Sequence, residues 1–383
     1  AGSVPIAFSG GAYGIESVSG TLTLGATSAT TKLMRNEVAG AAIRTLSWFG
    51  AGDVVMNLQM TDNATLDFNF IKVGSGKLSI TRGDNDFDQA PNLRSGITEV
   101  VKLADSGTAS SLGNGSVGTG INVGGTLRYI GTGDSCNRPI GILQTGATLD
   151  SSGTGPLVLS SASLSHQTGT TGTVCAPFAL GATTLYVNDP SGIAVGQTIA
   201  ATNIPTGTTV TSVNVDTRAL GISQATTAAS ATGLATTLTN ANNINRTLTL
   251  TGANSGDNIF AAALSNPGTG KLGITKTGAG RWILSGTTKS NTGLIDVQAG
   301  TLGFKNSLPP SFAPTVDAAA TLSLDTVSVE GSPALNIAGT LEIAGPVNVA
   351  LADNPAPGTY TLLQYGALAG GGTLTAPYRT YSI

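Results

Sequence analysis

"KLGITKTGAGRWILSGTTKSNTGLIDVQAGTLGF", residues 271 to 304, sets short apolar strands between glycine-rich turns, and it contains no constellation that catalysis would use. The rest of the chain echoes it. "GTLTL" (20–24), "ATLDF" (64–68), "GKLSI" (76–80), "GTLRY" (125–129), "RTLTL" (246–250), "GTLGF" (300–304), "ATLSL" (320–324) and "GTLEI" (339–343) share one pattern. In each, the leucine and the residue two further on face the same way, and the residue between them faces out. Leu302, Leu322, Leu341 and Leu362 follow one another at intervals of 20, 19 and 21 residues. A repeat of that length, built of three short strands and glycine corners, predicts the coil of a right-handed parallel β-helix, an all-β solenoid. One coil cannot bury its apolar face alone, and stacked coils can. Helical periodicity is nearly absent, and "RNEVAGAAIRTLSWF" (35–49) reads at most as a short cap or a loop.

Composition agrees. Only 10% of the 383 residues are charged and 53 are glycine, so hydroxyls, amides and backbone must cover the surface. Forty per cent are hydrophobic, in ordered short runs, which excludes a disordered linker. The formal net charge of −3 comes with no basic patch, so nucleic acid is not an expected partner. No apolar run approaches the length of a membrane helix.

Residues 268–304 resemble the autotransporter-associated β-strand repeat of bacterial secreted and surface proteins. The likeness rests on the Leu-x-Lys-type strand, "KTGAG", a strand ending in "LSG", a polar turn and a closing "VQAGTLGF". A turn written "TTKSNTG" replaces the family's usual tyrosine turn. A second likeness runs through "GGTLRYIGTGDSCNRPIGI" (124–142) and "LDSSGTGPLVLS" (149–160), and resumes at "NRTLTLTGANSGDNIFAAAL" (245–264). The resemblance implies an extracellular or bacterial cell-surface location. It does not imply an activity, because adhesins, enzymes and structural proteins are all built on this scaffold. Autotransporter passengers precede a membrane barrel, and the residues after Ile343 are too few for one. The expectation is a released passenger, a fragment, or a relative exported by another route.

Between Cys175 and Leu238 the coil spacing is lost. Alternating strands are predicted at 184–187, 198–200, 208–213, 219–222 and 234–238, with turns at "NDPSG" and "NIPTG". The expected organisation is therefore solenoid over 1–175, an inserted small antiparallel β-domain over 176–238, and solenoid again over 239–383. Cys136 and Cys175 are expected to form a disulfide that ties the neck of the insert; two buried thiols are the alternative.

Candidate sites are few. "RGDNDFDQ" gathers Asp84, Asn85, Asp86 and Asp88 as a calcium loop would, but Gln89 and Ser95 stand where such a loop needs glycine and glutamate. A solvated acidic turn is the competing reading, and no other cofactor is expected. "GTGKLG" (268–273) and "GNGSVG" (113–118) lack the strand and helix that a nucleotide site requires. His166 is the sole histidine, and no nucleophile motif accompanies it, so the chain is not expected to be an enzyme. Trp48, Trp282, Tyr129 and Tyr186 are the aromatics that could stack on sugars.

At the ends, Val4, Ile6 and Phe8 alternate at one terminus, and Tyr378, Tyr381 and Ile383 stand in "TAPYRTYSI" at the other. Only Arg379 is charged in the second stretch, so neither end reads as a blunted strand edge; the alternative is a piece of a longer solenoid whose ends are covered in the parent. These six residues are expected to join subunits end to end into a homopolymer. Two functions follow: a structural solenoid building an extracellular fibre or surface layer, or an adhesin that binds glycans or cells through its insert or lateral face.

Overall fold

The computed structural model describes residues 12–25, 32–33, 43–61, 67–115, 119–167, 172–173, 176–187, 190, 193–230, 235–239, 244–305, 309, 314–324, 335–343, 347–351 and 363–375. Among them there are strands, turns and bends, and no helix. The fold is a parallel β-helix carrying a small antiparallel insert. The chain forms two compact units. One comprises Ala1–Leu127, Gly141–Ala147 and Ser165–Ile244, and the other Arg128–Ile140, Thr148–Leu164 and Asn245–Ile383.

In the first unit, successive coils lay like on like. Ala12–Glu16 pairs in parallel with Ile43–Phe49, and that strand with Asp67–Lys72. On a second wall, Thr21–Leu24, Asp53–Met56, Lys77–Ile80 and Ile97–Val100 stack in turn. Their register puts Leu24, Met56, Ile80 and Val100 in one column, and the last three are buried. Alternation along each strand produces this, because a one-residue slip would turn the whole column to solvent. The core is closed by aromatic rings. Trp48 lies 6.4 Å from Phe70, and Phe70 stacks on Phe87 at 5.8 Å.

The second unit repeats the scheme. One wall runs Arg246–Thr251, Leu272–Lys276, Ile295–Val297, Pro314–Val316, Leu335–Ile343 and Leu363–Ala369. The other includes Asn258–Phe260, Arg281–Leu284, Thr301–Phe304, Thr321–Leu324 and Val347–Leu351. The stretch 271–304 thus supplies two strands to each wall, with a third side marked only by the isolated parallel bridge Leu264–Lys289, whereas the expected three strands per coil are present at 121–136 and 140–159. Leu302 lies directly on Leu322, in line with the 20-residue interval. Leu322 then meets Val349 instead of Leu341, which belongs to the opposite wall. The regular leucine spacing therefore crosses from one wall to the other at that step. Leu362 lies outside the described residues.

The insert has strands Thr184–Tyr186, Ala219–Ile222 and Val210–Asn214 in one antiparallel sheet, and Gly172–Thr173, Ala235–Thr239 and Thr198–Ala200 in another. Leu185, Val187, Ile199, Val210, Leu220 and Ile222 belong to a core of its own. It falls in the same compact unit as the N-terminal coils.

Corners between walls are where glycine is required. Gly300 has a φ of 66°, and a Cβ there would lie 2.5 Å from the carbonyl oxygens of both Gly278 and Gly280 on the preceding coil. Gly20 has a similar φ of 70° with nothing within 4 Å. Gly300→Ala is expected to cost about 2–4 kcal/mol, conformation and collision together, and Gly20→Ala about 1 kcal/mol. Urea unfolding of the two variants checks the difference; equal costs would mean that close stacking of the corners is not what selects glycine.

Candidate functional site

Two corners, one in each unit, are built alike. Lys72 ends a strand, and "KVGSG" (72–76) follows; Lys276 ends a strand, and "KTGAG" (276–280) follows. Both side chains are almost wholly buried. The Lys72 ammonium donates to the carbonyls of Val73 (3.0 Å), Gly74 (2.9 Å) and, on the next coil, Ser95 (3.4 Å). The Lys276 ammonium donates to Thr277 (2.5 Å), Gly278 (2.7 Å) and Ala299 (2.9 Å). Ser95 and Ala299 each lie 23 residues beyond their lysine. Gly74 and Gly278 both have positive φ, at 88° and 67°. Residues 72–100 are therefore a second copy of the repeat seen in 276–304.

The register sets Lys276 in an apolar column, between Leu250 and Val297. Its ammonium leaves that column by turning onto the corner carbonyls of Thr277, Gly278 and Ala299. Burial pushes the pKa of Lys72, Lys276 and Lys289 down to about 8. At Lys72, Asp216 and Asp53 act in the opposite direction.

Asp216 comes from the insert. Its carboxylate accepts from the Ser75 backbone N–H (2.7 Å) and from the Ser75 hydroxyl (2.8 Å), directly on the lysine corner. The turn that presents it is ordered by Asn214 Oδ1, which accepts from the N–H groups of Asp216 and Thr217. Arg218, at a φ of 60°, places its guanidinium 4.8 Å from the centre of the Phe49 ring. Gln197 Nε2 also donates to Gln144 Oε1 at 2.5 Å. The insert is thus docked on the N-terminal coils through polar contacts.

The candidate residues are placed as follows. Arg82 binds the Asp84 carboxylate through Nε and Nη2, which draws the Asp84 pKa down. Asn85 is fully buried, accepts from Met60 N–H and donates to the Ser111 carbonyl. It stands thirteen residues after Lys72, as Lys289 does after Lys276. Lys289 likewise donates to coil carbonyls, those of Gly286 and Lys305. Asn85 therefore has a structural task in the coil, and Asp84 is turned to Arg82. Asp86 and Asp88 are half-buried, and among the described residues no three His, Cys, Asp or Glu side chains gather as metal ligands. Cys136 is buried in the strand Thr132–Cys136, while Cys175 lies outside the described residues. Val4, Ile6, Phe8, Tyr378, Tyr381 and Ile383 also lie outside them. Trp48, Trp282 and Tyr129 are buried and unavailable for stacking on a ligand. The Trp282 indole donates to the Thr251 carbonyl, and burial raises the Tyr129 pKa to about 12. Tyr186 is different, with 45% of its surface exposed.

Tyr186 stands on the outer face of the insert sheet. Thr184 shares that face, opposite Gly221, and Ala219 lies beside Tyr186. Ser212 and Asn214 complete it on the third strand. Small residues on the central strand leave a shallow floor flanked by a phenol ring, hydroxyls and an amide. Sequence reading named Tyr186 but missed the lysine corners and Asp216. The shared "K-x-G-x-G" at 72–76 and 276–280 was the available signal.

The chain is 36% identical over 149 residues to the adhesin BmaC autotransporter of Brucella suis biovar 1 (strain 1330), a match covering 36% of this chain and 4% of that protein. No family model matches the chain, and no solved structure matches it. No described helix is long and apolar enough to cross a membrane, which says nothing of β-barrels.

The three lysines give a pH dependence of defined sign. Their folded pKa of about 8 lies below the unfolded value near 10.4, so the unfolded state binds more protons between those limits. Below about pH 8 the cost of burying the charges is fully present, and stability should rise as pH goes from about 8 to about 10. Lys276→Met should remove about a third of that rise, since Lys72 and Lys289 remain, and at pH 7 it should cost about 1–3 kcal/mol for carbonyls left without a donor. Urea midpoints at pH 7.0, 8.5 and 9.5 test both statements.

Proposed function

We propose that the chain is part of a secreted bacterial surface protein of the autotransporter-adhesin kind, in which the solenoid is the scaffold and the insert the recognition module. The observation that carries this reading is the outer face of the insert sheet. An exposed Tyr186 ring lies beside uncharged hydroxyl and amide groups, on a module with its own core. That chemistry suits a neutral glycan on another cell, with a ring for stacking and neutral polar groups for sugar hydroxyls. The similarity to an autotransporter adhesin supports an extracellular or cell-surface setting. Because the match spans 4% of that protein, the partner and activity of any longer chain are part of the proposal. No catalytic role, calcium or other cofactor enters it.

A second reading, end-to-end assembly into a fibre, draws on the strand Leu363–Ala369. Leu368 is registered on the buried Leu341, yet it is 44% exposed, and Tyr365 is exposed beside it. A further coil from another subunit would continue the Leu341–Leu368 column and cover Leu368.

The experiment is binding to a glycan array and to whole cells by the full chain, by a variant with residues 176–238 replaced by a short Gly-Ser link, and by Tyr186→Ala. Loss of binding in the deletion is expected, with a reduction of about 3- to 10-fold for Tyr186→Ala. Undiminished binding by the deletion variant would remove the insert from the function. Sedimentation of the chain truncated after Thr375 separates the second reading; fibres that grow as before would end it.

A further inference from the structure

The two lysine corners differ in one respect. In the first, the backbone N–H of Ser75 meets a carboxylate. The equivalent residue of the second is Ala279, which lies in the same Lys-x-Gly-x-Gly frame and is exposed. The correspondence is detailed. Gly76 N–H donates to Gly50 O at 3.1 Å, and Gly280 N–H to Gly252 O at 2.9 Å. Arg94 N–H donates to Lys72 O, and Gln298 N–H to Lys276 O, both at 2.9 Å. Cβ atoms at Gly96 and Gly300 would collide with the carbonyl pairs Gly74/Gly76 and Gly278/Gly280 in the same way. Among the described residues nothing accepts from Ala279 N–H. Asp216 and Asp53 raise the pKa of the Lys72 ammonium, whereas no carboxylate does so for Lys276.

We propose that the corner Gly278–Ala279–Gly280 is a carboxylate-binding site, filled by an aspartate or glutamate side chain of a partner protein as the Ser75 corner is filled by Asp216. Its donor is the N–H of the exposed Ala279, which follows the positive-φ Gly278, and its counter-charge is the Lys276 ammonium bound to the corner carbonyls. A protein side chain is the occupant because the filled copy of the site shows that mode. A two-stranded turn lowers a single carboxylate onto the corner, and the neighbouring arginine covers an aromatic ring. The site does not depend on the recognition face of the insert, so either proposal can fail without the other.

The test uses the full chain labelled with ¹⁵N-alanine, in which the Ala279 amide resonance is assigned by its loss in Ala279→Ser. Sodium acetate is titrated against sodium chloride at constant ionic strength, followed by the peptide acetyl-Asn-Val-Asp-Thr-Arg-amide, its Asp→Asn analogue, and glucuronate. The expected result is a saturable Ala279 shift with acetate and a tighter one with the aspartate peptide, but none with chloride or the asparagine peptide. Ala279→Ser supplies the hydroxyl that Ser75 has, and should tighten the peptide about tenfold by calorimetry, the worth of one hydrogen bond to a charged acceptor. No saturable shift with either acetate or the aspartate peptide overturns the site. Glucuronate binding as tightly as the peptide, or more tightly, overturns the protein partner in favour of an acidic sugar.

Discussion

At the described lysine corners each coil turns against the coil before it, and at their glycines there is no room for a side chain. At Gly300 the preceding coil's carbonyl oxygens stand where a Cβ would be, so the corner is bare backbone. Bare backbone brings carbonyls together with few donors among them. A buried acceptor left unpaired costs about 1–3 kcal/mol, and three converging at one corner would cost a large part of a domain's net stability. The Lys72 and Lys276 ammoniums resolve this by acting as tethered cations that each serve three carbonyls on two successive coils. Desolvation of the charge opposes the arrangement, which is why burial lowers both pKa values. The multiple charge-assisted bonds offset that cost, as a single bond would not.

The same corner explains where the insert sits. A positive-φ glycine followed by an exposed N–H makes a small concavity with partial positive charge, and an ammonium lies beneath it. A carboxylate lowered onto that point gains hydrogen bonds and a counter-charge together. Asp216 does so in the first unit, and the positive φ of Arg218 two residues later is the backbone distortion that accompanies its turn. Polar contacts of this kind fix a pose with little apolar surface, so the insert keeps its hydrophobic residues for its own core.

Legibility in the sequence followed periodicity. Alternation within "GTLGF" and its relatives identified the parallel walls, because side-chain direction in a strand has a period of two and survives any loop length. The break in spacing after Cys175 marked the insert, and most of its strands fall within a residue or two of where alternation put them. Coil architecture was less readable. Leu302, Leu322 and Leu341 keep a regular interval although Leu341 lies on the other wall, since loops of different length can imitate one period. Single polar residues were the hardest to place. Nothing local in the acidic run announces that the Asn85 amide bonds the Met60 N–H and the Ser111 carbonyl. Lysine at the end of an apolar strand reads as a solvated boundary, because nothing local in sequence announces that three carbonyls from two coils will meet there.

A repeat that solves its backbone accounting in one way will present the same unfinished surface wherever it recurs. In the first unit that surface is finished by a module inserted more than a hundred residues downstream, through one aspartate. In the second unit the same frame recurs with alanine in place of serine, and the chain's described part offers no acid to it. The substitution removes one of the two donors and keeps the other, which belongs to the backbone and cannot be mutated away while the corner survives. Sequence divergence can therefore weaken such a site but hardly delete it. In a scaffold with few charged side chains, the two copies of this corner differ in one donor and in the carboxylate that meets it, and those differences are what the carboxylate-site proposal rests on.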